Sequence, residues 1–273
     1  MLEDTKLPFI EKPLISVVNI MRNEATQLPK LAESLKEFLD RGGNWVILDT
    51  GSADDSISTA RSLGAKVYEA GEQFQRTINA ELAEQVNKRF IIGDEEPLVR
   101  GGDRFFDYSA ARNYAATFAE HDMVSMPDCD EIYVNFNIDE INRVINEGYT
   151  QIEFQFIFAT YPNGQPSVMF RQSKSYNRKV MQWTGIIHEV LTGESKRIYL
   201  PPEIFLLKHL QAPQSHRSRY LAGLALDCFQ RPGEDRQSHY LGRELYWNCR
   251  PRSAIKELRR HVSMNRWQQE RGE

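Results

Sequence analysis

Three short apolar segments separated by two helical ones occupy residues 14–69, and this rhythm constrains the fold more than any other feature of the chain. Leu14 to Met21 (LISVVNIM) is a near-continuous β-rich run, as expected of a strand covered on both faces. Pro29 to Leu39 then shows helical spacing in Leu31, Leu35, Phe38 and Leu39, and Gly42-Gly43 closes that helix. Trp45 to Leu48 is a second buried strand, Ile57 to Leu63 a second helix ended by Gly64, and Ala65 to Glu69 a third strand. Such alternation predicts a parallel sheet with right-handed crossovers, a Rossmann-like α/β unit. In an open sheet of this kind ligands bind beyond the carboxyl ends of the strands.

The residues that follow the strands are therefore the first candidates for chemistry. An apolar run, Met123, Val124 and Met126, ends abruptly in Asp128-Cys129-Asp130 with Glu131 behind it. Two carboxylates at the edge of a buried strand can hold a hard divalent cation, because Mg²⁺ and Mn²⁺ prefer oxygen ligands and keep positions open for substrate phosphates. An acidic turn after a strand is the structural alternative. Asn23 and Glu24 follow the first strand, and Asp49-Thr50-Gly51-Ser52-Ala53-Asp54-Asp55 follows the second. Gly51 lets the backbone turn sharply, and Asp54 either caps the next helix or meets a ligand.

The middle of the chain has weaker signals. Phe74 to Arg89 reads as helical, and Phe90 to Gly102 as a strand or hairpin followed by a loop. Tyr108 to Glu120 has alanine-rich helical periodicity with Ser109 as its start signal. Ile138 to Asn146 is a further helix. Thr150 to Tyr161 alternates like a half-buried antiparallel strand, and Val168 to Phe170, Lys179 to Trp183, Arg197 to Leu200 and Phe205 to His209 are shorter ones. An antiparallel extension is thus expected after the parallel half. Helices are expected over Arg217 to Phe229, Ser238 to Trp247 and Arg252 to Val262. The segment Tyr240-Leu241-Gly242, with Ala254 and Ile255, fits one tetratricopeptide (TPR)-like hairpin, which needs a neighbour to bury its core.

Charge is uneven: from Lys208 onward the chain carries a net +6, and the remainder −10. A basic tail suits a polyanion, but its arginines sit at helical spacing among acids, which favours a solvated helical face. The three cysteines are odd in number and widely spaced, which argues against a disulfide framework or a zinc site. No apolar run reaches membrane-spanning length, and MLEDTKLPFIEKP lacks the basic-then-apolar order of a secretory signal, so a cytoplasmic location is expected. The closing stretch RWQQERGE hints at a longer protein.

Five separated motifs stand in order: ISVVNIMRNE (15–24), ILDTGSADDS (47–56), FDYSAARNYA (106–115), Asp128-Cys129-Asp130-Glu131, and WTGIIHEVL (183–191). Together they resemble the family 2 glycosyltransferases of GT-A fold, in the branch with D-T-G-S-x-D, S-x-A-R-N, D-x-D-E and G-x-I-H-E motifs and C-terminal TPR-like helices. The resemblance covers about residues 14–70 and 103–210. It implies a mixed α/β sheet with helices on both faces, a GT-A catalytic domain over 1–210 and a helical, TPR-like extension over 211–273. One departure is the segment from about 71 to 102, which is longer than the usual link and reads as an insertion. Pro127, ahead of the acidic motif, is another.

The resemblance also implies roles. A metal-dependent inverting transfer from a nucleotide-diphosphate sugar, a UDP-sugar above all, would use Mn²⁺ or Mg²⁺ held by Asp128 and Asp130. His209 is either a third metal contact or a core histidine. Asn23, Glu24, Asp49, Gly51, Arg112, Asn113 and Asp128 would line the donor pocket, with Asp49 reading a uracil-type edge and Arg112 facing base or diphosphate. Glu24 as a first-turn helix acid and Arg112 in a surface ion pair are the plain alternatives. Glu189 would take the acceptor's proton, with His188 touching acceptor, phosphate or metal; Glu131 and Asp107 compete for the role of base. The acceptor class stays open among carbohydrate, lipid-linked, protein and modified nucleic acid, and a homo-oligomer is allowed. Two other functions compete. A nucleotidyltransferase of similar fold would show a Gly-rich basic loop, which NIMRNEATQL lacks. A non-catalytic nucleotide- or polymer-binding module would bind through the basic tail and turn over nothing.

Overall fold

The computed structural model describes residues 11–210 and 220–264. The elements in chain order are β1 (Ile15–Met21), α1 (Leu28–Ser34), α2 (Lys36–Asp40), β2 (Asn44–Asp49), α3 (Ser56–Ser62), β3 (Lys66–Glu69), β4 (Gln75–Thr77) and α4 (Ala80–Phe90). Then come β5 (Arg104–Phe106), α5 (Tyr108–Ala116), β6 (Met123–Ser125), β7 (Glu131–Phe136), α6 (Ile138–Asn146), β8 (Gln151–Thr160) and β9 (Pro166–Asn177). The last are β10 (Met181–Thr184), β11 (Val190–Gly193), β12 (Arg197–Tyr199), β13 (Phe205–His209), α7 (Tyr220–Gln230), α8 (Asp235–Trp247) and α9 (Pro251–Met264). The closing RWQQERGE and the start of the helix expected from Arg217 lie outside the described residues. None of the described helices is long and apolar enough to cross a membrane.

The chain forms two compact units. The first takes its described residues from Met1–Gln73, Ala111–Trp183 and Leu191–Pro213. Its sheet runs β3-β2-β1-β6-β9-β8-β13-β7, with β12 added beside β8. β3, β2, β1 and β6 are mutually parallel, as their helical crossovers require. β9 pairs antiparallel with β6 and β8, and β13 runs parallel to β8 but antiparallel to β7, so the sheet is mixed. Side chains of β1 alternate between faces, yet both Ile15, Val17, Met21 and the intervening Ser16, Val18 are buried. A double-faced strand of this kind explains the unbroken apolar run. Leu28, Leu31 and Leu35, Phe38, and Ile138, Ile141 and Val144 bring the helical stripes into the same core as Trp45, Ile47, Phe154 and Phe205.

The second unit takes its described residues from Phe74–Ala110, Thr184–Val190 and Gln214–Glu273. It is larger than an extension starting at 211, because the segment expected as an insertion shares its core with the C-terminal helices. Val86 and Phe90 of α4, with Leu98 and Val99, pack with Ile186 and Ile187 and with Leu224, Cys228, Leu241, Leu245 and Ala254. This unit corrects two expectations. Phe74 to Arg89 is not one helix: Gln75–Thr77 pairs antiparallel with Arg104–Phe106, and α4 starts only after Asn79, whose Oδ1 accepts from the Leu82 N–H at 2.8 Å. Residues 91–102 contain no strand; Asn87 instead satisfies that loop by accepting from the N–H groups of Leu98 and Val99 and donating to the Val99 carbonyl.

Candidate functional site

The carboxyl ends of β1, β2 and β6 gather the residues singled out after each strand. The loops behind β1 and β2 are laced together. Asn23 takes φ 58°, a left-handed conformation that asparagine tolerates better than most residues. Its N–H donates to Ser52 Oγ at 2.9 Å, and its Oδ1 accepts from Ala53 N–H at 2.8 Å. The Glu24 N–H donates to Ser56 Oγ at 2.7 Å. Asp49, buried at the end of β2, closes its own turn by accepting from the Gly51 and Ser52 N–H groups at 3.0 and 3.2 Å. Gly51 makes that turn possible at φ +97°. Asp54 accepts from the Ser56 N–H at 3.1 Å and from the Ala25 N–H at 3.4 Å, while the cap position of α3 is taken by Asp55, whose side chain makes no capping bond.

Behind β6 the acidic motif splits into two environments. Asp128 is ion-paired at both oxygens: Arg112 donates to Oδ1 at 2.6 Å and Lys174 to Oδ2 at 2.8 Å. Lys174 also donates to Glu131 Oε1 at 2.6 Å, while Glu131 Oε2 accepts from the Asp128 N–H at 3.0 Å. Arg112, Lys174 and Glu131 are all buried. Burial pushes the Asp128 carboxyl upward, but the Arg112 and Lys174 charges outweigh it and hold it well below the usual carboxylate range. Burial raises Glu131 against the pull of Lys174.

Asp130 faces a different neighbourhood. Its Oδ2 lies 3.2 Å from His209 Nε2, on β13, whose register sets His209 opposite Glu131. The Asp130 contact raises the His209 pKa against the opposing effect of burial. The partly buried His209 ring also stacks on Phe158 at 5.5 Å. Glu24 completes the group: burial first, then the charges of Asp130, Asp128 and Asp54, push its carboxyl up to about 7. The strand ends therefore hold more negative charge than Arg112 and Lys174 balance.

Sequence reasoning missed Lys174. Nothing in PSVMFRQSKSYN sets that lysine apart; it meets the acidic motif because β9 pairs with β6 and the Met126 N–H donates to the Lys174 carbonyl at 2.9 Å. Asn113 is not beside Asp128 in role: its Nδ2 donates to the Trp183 carbonyl at 2.8 Å and its Oδ1 accepts from the Trp183 N–H at 2.9 Å, a clamp on β10. The Arg112 guanidinium sits 5.2 Å from the Trp183 ring centroid, which fixes the plane of its fork. Ser109 is not the start of its helix either. Asp107 Oδ1 accepts from the Ala110 N–H at 3.0 Å, and Ser109 Oγ donates to the Gly185 carbonyl. Asp107, a competitor for the base, has its other oxygen 3.6 Å from Arg76.

His188 and Glu189 belong to the second unit. His188 takes φ 53° and its ring stacks on Tyr240 at 4.2 Å and on Tyr220 at 5.9 Å. The basic tail is spent inside this unit to a degree the expected solvated face did not foresee. Arg231 forks onto Asp227, Arg260 onto Glu257, and Arg250 donates to the Glu96 carbonyl.

The two carboxylate settings bear on a divalent cation. Among the described residues no three His, Cys, Asp or Glu side chains converge on one metal position. Mg²⁺ and Mn²⁺ bound with substrate phosphates need only one or two protein carboxylates. Asp130, 31% exposed and next to His209, fits that requirement. Asp128 would contribute only by sharing an oxygen with Arg112 or Lys174.

No known family profile matches this chain. Among solved structures it is similar to glucosyl-3-phosphoglycerate synthase from Mycobacterium tuberculosis. In complex with Mn²⁺ and UDP-glucose, that synthase is 21% identical over 53% of this chain and 44% of its own, with a TM-score of 0.32. In complex with Mn²⁺, UDP and glucosyl-3-phosphoglycerate, it is 20% identical with the same coverage and TM-score. A structure described only as a mycobacterial protein is 15% identical over 78% of this chain and 73% of its own, with a TM-score of 0.41. The chain spans less than half the length of the synthase it matches.

Proposed function

We propose that this chain is a metal-dependent inverting glycosyltransferase of GT-A fold and family 2 type, taking its sugar from a UDP-linked donor. The observation that carries the reading is the clustering of carboxylates at the strand ends: Asp130 and Glu24 stand beside an Asp128 already paired to Arg112 and Lys174, and burial first, then the charges of Asp130, Asp128 and Asp54, push Glu24 up to about 7. A cation with a diphosphate is the chemistry that partly exposed carboxylates beside buried arginine and lysine suit. A divalent ion bound there, on Asp130 and His209 with Asp128 adjacent, would supply Lewis-acid stabilisation of the departing nucleoside diphosphate.

The chain's own residues do the rest. Arg112, fixed between Asp128 and Trp183, is the cation that would face phosphate or base. Asp49 and the laced loops around Asn23 and Gly51 form the floor for the nucleoside. Glu189 accepts the proton of the acceptor hydroxyl as it attacks the anomeric carbon, and His188 orients the acceptor. In this reading the first unit carries the donor site expected of a catalytic domain over 1–210, and the helical extension expected over 211–273 shares its unit with residues 74–110 and 184–190.

The test is a thermal-shift measurement with UDP-glucose and with UDP, each with Mn²⁺ and with EDTA. Ligand that binds only the native state raises the melting point. Stabilisation is expected with Mn²⁺ and its loss with EDTA, and Asp130→Ala, at a partly exposed position, should lose the shift while melting like the wild type without ligand. A full shift in the Asp130→Ala protein would remove the metal site from this position.

A further inference from the structure

The loop between β10 and β11 carries His188 and Glu189 on backbone with two left-handed residues. Gly185 has φ +101° and His188 φ 53°, two left-handed residues within one short turn, and the Cβ of histidine disfavours that conformation. Side chains from α7 and α8 satisfy this backbone. The Ile186 N–H donates to Asp227 Oδ2 at 3.1 Å. Gln237 Nε2 donates to the Ile187 carbonyl at 2.9 Å and lies 3.4 Å from the His188 carbonyl, to which Arg236 also donates. Asp227 is itself fixed by the Arg231 fork at 2.6 and 2.7 Å and by Gln237 at 2.9 Å.

Asp227 and Gln237 are 1% and 2% exposed. Polar groups buried this deeply are costly unless paired, and a helix pair needs none of them to pack. Besides Arg231 and each other, their partners here are backbone groups of the loop. Apolar contacts point the same way: Ile186 and Ile187 enter the second core, and a Cβ on Gly223 would lie 2.2 Å from Ile187 Cδ1. A Cβ on Gly185 would lie 2.7 Å from an Arg231 guanidinium nitrogen, so the helices close against this turn as well.

We propose that Asp227, Gln237 and Arg236 are positioning residues that template the Gly185–Glu189 loop, which makes the C-terminal helices a working part of the transfer machinery. The proposal rests on the assignment of His188 and Glu189 to acceptor chemistry. Gln237→Met tests it in the full chain, because methionine keeps the length of the side chain and removes its N–H groups. Three quantities are measured: hydrogen exchange, Mn²⁺-dependent affinity for UDP-glucose, and the rate of UDP release from UDP-glucose with water as acceptor. Faster exchange is expected over residues 184–190 with α7 and α9 unchanged. UDP-glucose affinity should stay within about twofold, while UDP release slows at least about tenfold through kcat, as a loosened reacting group requires.

Glu189→Gln and His188→Ala, measured in parallel, separate the proposal from the reading beneath it. If Gln237→Met slows release and Glu189→Gln does not, the base is misassigned and the positioning role stands through His188. Exchange that rises across α7–α9 as a whole overturns the proposal. So does wild-type release by Gln237→Met when Glu189→Gln is slow. Should the wild type release no UDP, the reading of the reaction fails, and exchange over 184–190 alone decides whether the helices template the loop.

Discussion

Two buried ion-pair networks, one in each unit, neutralise themselves and then do opposite things with what is left. Around Asp128 and Glu131, Arg112 and Lys174 supply two cations for two carboxylates, and the surplus is charge: Asp130 and Glu24 stay beside them without equal compensation. Around Asp227 a single arginine forks onto a single carboxylate, and the surplus is hydrogen-bonding capacity, which goes to the backbone of residues 186–188. In the proposed reading the first arrangement takes up a cation and an anionic ligand together. The second holds a strained backbone in one shape. A buried salt bridge is weak evidence for stability by itself, so what distinguishes these two is the use made of the groups around them.

The sharpest way to break the comparison is to remove Lys174. Its ammonium bridges two carboxylates, 2.8 Å from Asp128 Oδ2 and 2.6 Å from Glu131 Oε1, and the Glu131 side chain is 4% exposed. Lys174→Met leaves Glu131 buried without its cation, while the partly exposed Asp128 keeps Arg112, and a loss of about 3–5 kcal/mol of folding stability is expected, read by urea unfolding. Adding Glu131→Gln should return a large part of it, since the remaining carboxylate keeps Arg112. Gln237→Met, which leaves the Asp227–Arg231 fork intact, should cost only about 1–2 kcal/mol. Equal losses from the two single variants would erase the distinction between a charge network and a backbone template.

How much of this is legible in the sequence follows the range of the interactions. The α/β fold is, because strand and helix signals in residues 14–69 are local: periodicity, Gly42-Gly43 and Gly64 lie within the elements they delimit. Gln75–Thr77 reads as helix because three polar residues carry no strand signal without their partner, Arg104–Phe106. Phe90 to Gly102 reads as a strand or hairpin followed by a loop because Ile91, Ile92, Leu98 and Val99 are apolar; Leu98 and Val99 serve the second core instead, and Ile91 packs against it. At the site, residues behind the strands of a parallel sheet announce themselves by position. Lys174 and Gln237 do not, since each acquires meaning only from residues far along the chain. Asn113 marks the same limit from the other side: it stands next to Arg112 in sequence, yet its amide is spent on β10.

A second perturbation acts on chemistry and not on stability. Glu189→Gln removes a proton acceptor while keeping the shape of the side chain. UDP-glucose affinity with Mn²⁺ should stay near wild type and turnover should fall at least about a hundredfold, about 2.7 kcal/mol in the barrier. The urea midpoint should not move. Turnover that survives would shift the base to another carboxylate, with Glu131 already committed to Lys174 and Asp107 to its helix cap.

The smallest effect tests the surplus charge itself. Glu24 is raised from 4.5 to about 7 in the folded chain, with burial first and the charges of Asp130, Asp128 and Asp54 after it. Between those values the folded state binds the proton that the unfolded state has released. Its contribution to stability is therefore complete below about 4.5 and is lost as pH rises through about 7. Stability measured from pH 5 to 8 should carry this downward slope, and Glu24→Gln should flatten it. Mn²⁺ should oppose the loss at the alkaline end, because a cation among these carboxylates favours the ionised form, and Asp130→Ala should remove that rescue. The second network predicts no such coupling: Gln237→Met should leave both the slope and its reversal by Mn²⁺ unchanged. A slope that persists in Glu24→Gln would locate the titrating group elsewhere and would leave the charge surplus at the strand ends without its signature.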